Sequence, residues 1–276
     1  MIKTWMISGC SSGLGKEMVH QLAAKGEQVV ATARTISSLS YTAEYPNVLA
    51  LQLDVKQKEQ IKNTVSQAIA HFGGIDVLVN NAGYGQMGAL EEVSVDDMML
   101  QFDTNFWGSV HLTREVLPHM RARKQGTIQV VTSIAGLIGS AGASVYNASK
   151  FALEGLFEAL SVELQEHNIN ISIVEPGPFR TAFLDYSLKL PDAIEAYTTG
   201  APARTRAFLM EGNGMQSGDP VLAVNHMITV CNMAKPPLRL LLGASAFDRY
   251  KSKLQKELEK LEEVKHFAMH ADYIVK

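Results

Sequence analysis

Between a short apolar run, Thr4 to Ser8, and the first amphipathic stretch, the chain reads Ser8-Gly9-Cys10-Ser11-Ser12-Gly13-Leu14-Gly15, three glycines in the spacing GxxxGxG. Glycine lets a backbone turn tightly and approach another group closely, while the helix that follows offers free N–H groups and the positive end of its dipole. A strand-to-helix turn of this kind is a cradle for a diphosphate, and three glycines in the first such turn favour a dinucleotide site over an ordinary turn.

Strand-like runs and amphipathic helices alternate from there on, as a parallel sheet covered by helices on both faces requires. Strands are predicted near Thr4–Ser8, Gln28–Ala33, Val48–Leu53, Val77–Asn80, Thr127–Thr132, Asn170–Val174 and Leu238–Leu242. Lys56 to His71 is a clear helix, with Ile61, Val65, Ala68, Ile69 and Phe72 at helical spacing. The expected fold class is α/β: a doubly wound Rossmann-type parallel seven-stranded sheet with helices on both faces. A chain of 276 residues suffices for one sizeable core, so residues 1–276 are read as a single dinucleotide-binding and catalytic domain.

Two segments depart from the alternation. After Pro176, roughly forty residues rich in Gly, Thr, Pro and Ala precede the next clear helix. Phe179, Phe183, Leu184, Tyr186, Leu188, Leu190 and Phe208 make this insertion, about 178–218, an expected cover over something apolar, with Gly200, Gly212, Gly214 and Gly218 as candidate hinges. A charged C-terminal helix is expected over about 245–266, its stripe of Leu254, Leu258, Leu261 and Val264 serving as core or subunit contact.

Composition excludes several functions. With 46% hydrophobic and 19% charged residues and a net charge of −3, the chain has no polyanion-binding character, so nucleic acid is not expected as a partner. Cys10 and Cys231 stand far apart and in no metal-ligand spacing, so neither a disulfide framework nor a metal site is expected. The apolar N-terminus runs straight into the glycine turn, as a strand does and a signal peptide does not, and no apolar run approaches membrane-spanning length. No membrane partner is expected, and the cytoplasm is the default location.

A dinucleotide site also needs a residue at the end of the second strand to read the adenosine ribose. There the chain reads Ala31-Thr32-Ala33-Arg34. No carboxylate stands ready to bond a 2′-hydroxyl, and the Arg34 guanidinium suits a phosphate, so NADP(H) is preferred and NAD(H) is possible. Further on, Tyr146 and Lys150 lie four apart at the start of a long, well-patterned helix, which sets a phenol and an ammonium on one face. A cation beside a phenol favours the phenolate, so the pair is expected to lower the Tyr146 pKa and make it a general acid/base.

In these motifs the chain resembles the short-chain dehydrogenase/reductase family, in its compact single-domain branch, from about Lys3 to Leu242. Gly9, Gly13 and Gly15 match its glycine motif, with Ser8 where Thr is more usual; Ser11, Ser12 and Leu14 complete that cofactor loop. Asp54 and Val55, in Leu53-Asp54-Val55, resemble the family's adenine pocket. Asn80-Asn81-Ala82-Gly83 resembles its Asn-Asn-Ala-Gly, which steadies the sheet and passes beside the cofactor. Tyr146, Lys150, Ser133 and Asn105 have the places of its catalytic tetrad, and Pro176, Gly177 and Thr181 those of the segment holding the nicotinamide carboxamide.

The resemblance implies hydride transfer between the nicotinamide and a carbonyl or secondary alcohol. Ser133 would polarise the carbonyl, Tyr146 would exchange the proton, Lys150 would hold the nicotinamide ribose, and Asn105 would hold a water linking Lys150 to solvent. A hydrophobic substrate is expected, and steroid-like, retinoid-like, acyl and aromatic ketones fit equally. Two other readings stay open at this level: a nucleotide-sugar epimerase or dehydratase, for which the chain lacks the usual C-terminal substrate domain, and a non-enzymatic dinucleotide sensor, which would not need the intact Tyr and Lys. The resemblance also suggests a homodimer or homotetramer through helices around Met98–Met120 and Tyr146–His167.

Overall fold

The computed structural model describes residues 2–270. Among the described residues nine strands occur in chain order: β1 Thr4–Ile7, β2 Gln28–Ala33, β3 Val48–Gln52, β4 Val77–Asn80, β5 Gly85–Gln86, β6 Gly126–Val131, β7 Ile169–Pro176, β8 Leu188–Lys189 and β9 Arg239–Leu242. Seven form one parallel sheet in the order β3-β2-β1-β4-β6-β7-β9, while β5 and β8 pair with each other. The seven predicted strands are all present, their ends shifted by a residue or two, as fraying termini allow.

Alternation along the strands builds two cores. Trp5 and Ile7 of β1 point to one face, where they meet Met18 and Leu22 of α1 (Gly13–Ala24). Met6, between them, points to the other face, packed with Ile61 and Val65 of α2 (Lys58–Phe72). Two helices that follow α3 (Val95–Phe102), namely α4 (Gly108–Arg123) and α5 (Ser144–Glu163), complete that second layer through Leu112, Val116, Leu153 and Phe157. α2 begins two residues after its predicted start and ends at Gly73, whose φ of 82° suits a glycine C-cap.

The insertion is more ordered than its composition suggests. It contains α6 (Phe183–Tyr186), β8, and a 12-residue helix α7 (Gly200–Glu211) before α8 (Pro220–Cys231). Gly-Ala-Pro at 200–202 occupies the first turn of α7, where a proline does no harm, and Ala, Arg, Leu and Met carry it onward. The insertion is tied down by β8 on β5, by Arg206 to Glu92 at 3.1 Å and by Tyr197 Oη donating to Glu91 at 2.5 Å. Of the four candidate hinges only Gly200 and Gly214 have left-handed φ, at 76° and 77°.

The C-terminal helix runs as α9 (Ala244–Glu263) and a further turn α10 (Lys265–Met269). Its stripe is not core: Leu254, Leu258, Leu261 and Val264 are all exposed, because the helix extends past the sheet edge it starts from. No helix among the described residues is long and apolar enough to cross a membrane.

One hydroxyl joins the middle of the sheet. Ser8 Oγ, just past β1, accepts hydrogen bonds from the Asn81 and Ala82 N–H groups past β4, both at 3.0 Å. We predict that Ser8→Ala, which strands both donors, lowers unfolding free energy by on the order of 2 kcal/mol or more, while Ser8→Thr stays near wild type. Urea denaturation of the three proteins checks this, and equal midpoints for all three would show that the junction contributes nothing.

Candidate active site

β1 and β4 are neighbours although β2 and β3 lie to one side and β6, β7 and β9 to the other, so the sheet reverses its winding between them and opens a crevice at their carboxyl ends. A cleft of about 1000 Å³ occupies that crevice. Of the residues singled out from the sequence, Gly9, Ser11, Ser12, Gly13, Leu14, Arg34, Asp54, Val55 and Asn81–Gly83 line it. So do Ser133, Tyr146, Lys150, Pro176, Gly177 and Thr181. Only Gly15 and Asn105 do not line it; both lie directly beneath its floor.

The glycine loop is shaped by the strand beside it. Gly9 has φ 75°, and a Cβ there would come within 2.8 Å of Ala82 Cα; a Cβ on Gly15 would collide with the Gly9 carbonyl and the Asn81 amide. Asn81 Nδ2 donates to the carbonyls of Ser8 and Gly9 at 2.9 and 3.0 Å. α1 therefore begins inside the cleft with no side chain capping its N-terminus and no acidic residue in its first turn, which leaves its N–H groups and positive dipole end for an anion. At the far end Arg34 is exposed and its side chain makes no hydrogen bond among the described residues. Asp54 is held by its own turn, Oδ1 accepting from Lys56 N at 3.0 Å. Uncapped N–H donors, an exposed guanidinium and a fixed carboxylate suit a dinucleotide.

At the other end, α5 places Tyr146 and Lys150 one turn apart with Nζ 5.8 Å from the phenol ring centroid, both nearly buried. The Lys150 ammonium donates to the Val131 carbonyl at 3.0 Å. Burial pushes Tyr146 up to about 12, with only a hydrogen bond from Ser133 acting downward, and lowers Lys150 to about 8, opposed by the charge of Glu154. The expectation that Lys150 draws the phenol down is thus overturned in this geometry: desolvation outweighs a cation that is itself desolvated and turned to a carbonyl. Ser133 also caps a short turn, its Oγ accepting from Ala135 N at 3.1 Å.

Asn105 lies, as expected, within a long helical run, in the π-type turn Asp103–Trp107 that joins α3 to α4 without a break. Its amide is 1% exposed and spans Tyr84, Oδ1 accepting from Tyr84 N at 3.0 Å and Nδ2 donating to Tyr84 O at 2.9 Å, with Ser149 Oγ at 3.3 Å. Two residues went unremarked in the sequence. Asn147 binds the loop over the site, donating to the Ala135 and Ile138 carbonyls at 2.7 and 2.8 Å and accepting from Ser140 N at 3.1 Å. Tyr84 lines the cleft with Lys189 5.4 Å above its ring. Adjacency to Tyr146 and to Gly83 was the available signal. The insertion supplies the apolar wall: Phe183 stands 6.1 Å from the Tyr146 ring, and Leu184 and Phe208 line the cleft further out.

The chain has recognisable relatives. A family model described as short chain dehydrogenase matches residues 3–189. Retinol dehydrogenase 8 of Homo sapiens is 40% identical over 257 residues, covering 86% of this chain and 80% of its own. A short-chain dehydrogenase from Streptomyces avermitilis superimposes with a TM-score of 0.92 at 34% identity, covering 99% of this chain and all of that one. Another, from Burkholderia phymatum and solved in complex with NAD, superimposes at 0.82 over 95% of each chain; at 24% identity it speaks for the fold.

Because the Asn105 amide is the partner of both polar backbone groups of Tyr84, Asn105→Ala is expected to raise the hydrogen-exchange rate of the Tyr84 amide by roughly tenfold or more, the equivalent of about 1.4 kcal/mol of local opening. Exchange measured by NMR checks it, and an unchanged Tyr84 amide would show that this segment is held by other contacts.

Proposed function

This chain belongs to the short-chain dehydrogenase family, oxidoreductases acting on CH–OH groups with NAD(P), and we propose that it prefers NADP(H) and works on a carbonyl or secondary alcohol carried on a hydrophobic body. The observation that carries the reading is the meeting of two unlike ends in one cleft, an uncapped helix N-terminus with a free Arg34 and a set of half-buried Ser133 with buried Tyr146 and Lys150.

The N–H groups at the start of α1, with Ser11, Ser12, Gly13 and Leu14, would hold the diphosphate, and Arg34 the 2′-phosphate. Asp54 and Val55 would take the adenine, Asn81 to Gly83 the middle of the dinucleotide, and Pro176, Gly177 and Thr181 the carboxamide. Bound there, the nicotinamide supplies or accepts a hydride.

The protein's own groups handle the proton. Ser133 donates to the substrate oxygen, and Tyr146 Oη gives that oxygen its proton. Burial keeps the phenol protonated at neutral pH, so Tyr146 has a proton to give in carbonyl reduction; oxidation needs a further positive charge beside the ring to form the phenolate. Lys150 would anchor the ribose end, and Asn105 keeps the Gly83–Tyr84 segment beside Lys150 in place. The insertion covers the substrate and excludes water, and its Phe183, Leu184 and Phe208 favour apolar bodies, as does a relative named for retinol. Exposed Trp107 on the π-type turn before α4, with Phe151 and Val162 on α5, supports assembly into a homo-oligomer through those helices.

Incubation with NADPH and a panel of apolar ketones and aldehydes, read at the NADPH absorbance band, tests the reading. Tyr146→Phe is expected to drop turnover by at least ~10³-fold and to leave NADPH affinity within about threefold of wild type. Turnover near wild type in that variant would remove Tyr146 from the chemistry. Arg34→Ala should raise the Kd for NADPH by roughly 10- to 100-fold and leave that for NADH almost unchanged, measured by fluorescence titration. Equal loss for both dinucleotides would remove the 2′-phosphate role.

A further inference from the structure

Behind the cleft, at the β9 edge of the sheet, three elements bring charged groups together. Arg239, the first residue of β9, donates through Nη1 to Glu154 of α5 and to Glu175 of β7, the latter at 2.9 Å, and through Nη2 to the exposed Glu158 at 2.7 Å. The Thr132 hydroxyl, just past β6, lies 2.5 Å from Glu154 Oε1 and 3.0 Å from the Val174 carbonyl. Glu175 is completely buried, and its Oε2 has no partner.

Each member is one step from a residue of the site. Glu154 is one helical turn beyond Lys150. Thr132 sits between Val131, whose carbonyl receives the Lys150 ammonium, and Ser133. Glu175 immediately precedes Pro176. Burying an ammonium against a neutral carbonyl is costly unless an anion stands near. Around Lys150, Tyr146 shares its helix, and the other titratable groups toward this end are Glu154 and Glu158 on α5, Glu175 on β7, Arg239 on β9 and Tyr250 on α9. Glu154 is the one whose charge acts on Lys150.

We propose that Glu154 is a positioning residue whose carboxylate, fixed by Thr132 and Arg239, is the buried counter-charge that keeps Lys150 protonated, while Glu175 shares the Arg239 guanidinium from the far side. The proposal rests on the role given above to Lys150. Two carboxylates with one guanidinium cannot both stay ionised cheaply in a dry site. Glu175, the deeper of the two and the one with an idle oxygen, is raised to about 7 by burial first and by Glu154 second, whereas Glu154 has two fixed donors and stays closer to its usual range. The folded-state value of Glu175 lies above its unfolded one. Its contribution to stability is therefore fully present below about 4.5 and is lost as pH rises through about 7.

The test is the titration of Lys150 itself, followed by NMR in the full chain labelled with ¹³C at the lysine ε-carbon and assigned with Lys150→Arg, beside kcat/KM for ketone reduction against pH. Glu154→Gln is expected to lower the Lys150 titration midpoint by about one unit or more, and to bring the alkaline fall of kcat/KM down by the same amount. Glu154→Asp, which keeps the charge on a shorter arm, should restore part of both. Glu175→Gln should lower the Lys150 midpoint far less than Glu154→Gln does, and should gain thermal stability over wild type at pH 8 that it does not gain at pH 5. A Lys150 midpoint that stays put in both Glu154 variants, or that falls as far in Glu175→Gln, would overturn the proposal. If Glu154→Gln does not fold, Glu154→Met, which removes the charge and keeps the volume, takes its place, and a wild-type midpoint there overturns the proposal equally. Because the NMR readout needs no turnover, an active Tyr146→Phe would defeat the functional reading and leave this one standing on its own data.

Discussion

A parallel sheet that reverses its winding leaves its two central strands ending side by side with N–H groups that no neighbouring strand can take. In this chain the Ser8 hydroxyl and the Asn81 amide take on that task together, one accepting from the Asn81 and Ala82 N–H groups and the other donating to the Ser8 and Gly9 carbonyls. With the ends of β1 and β4 locked at this distance, Gly9 and Gly15 have no room for a side chain, and α1 starts where its free N–H groups face the crevice. The anion-binding end of the cleft is thus a consequence of how the sheet closes its own hydrogen bonds.

The opposite end is governed by desolvation. Burial makes the neutral form of both Tyr146 and Lys150 easier to reach, moving the phenol up and the ammonium down, so the two drift apart in the wrong sense for making a phenolate. Such a site holds its proton until more positive charge arrives. The Arg239 cluster works against half of that drift by keeping an anion one turn from Lys150. Tyr146 lines the cleft and Glu154 and Glu175 do not, which lets the charge on Lys150 be set without an acid entering the cleft.

Much of this was legible in the sequence because it depends on local spacing. Period-two alternation in β1 and the period of α2 follow from which face meets the core, and Gly9, Gly13 and Gly15 declare themselves by type and spacing. Two kinds of feature were hidden. The helix α7 was masked by composition, since Gly200 and Pro202 read as coil unless one knows they sit in a first turn. Features that depend on distant chain segments gave no signal: Arg239 meets Glu154 across 85 residues and Glu175 across 64, and no local pattern marks the three as one cluster. The direction of the Tyr146 shift failed for a related reason. Spacing places a cation near a phenol, but burial, which spacing does not reveal, decides which effect is larger.

Asn105 shows why the π-type turn between α3 and α4 is part of the site's construction. A regular helix would carry this amide on past Tyr84; the extra residue in the turn holds it inward, where both polar groups of the Tyr84 backbone are bonded to it and Ser149 of α5 lies within reach. Tyr84 leads directly into β5, and β5 is the strand on which the insertion's β8 is paired. One buried side chain therefore touches both the helix that carries Tyr146 and Lys150 and the segment that anchors the cover. Any displacement of the cover large enough to break β5 from β8 pulls on a segment whose other end is held against the catalytic helix. The placement of the insertion and the order of the floor are for that reason mechanically linked through a residue that does not itself line the cleft.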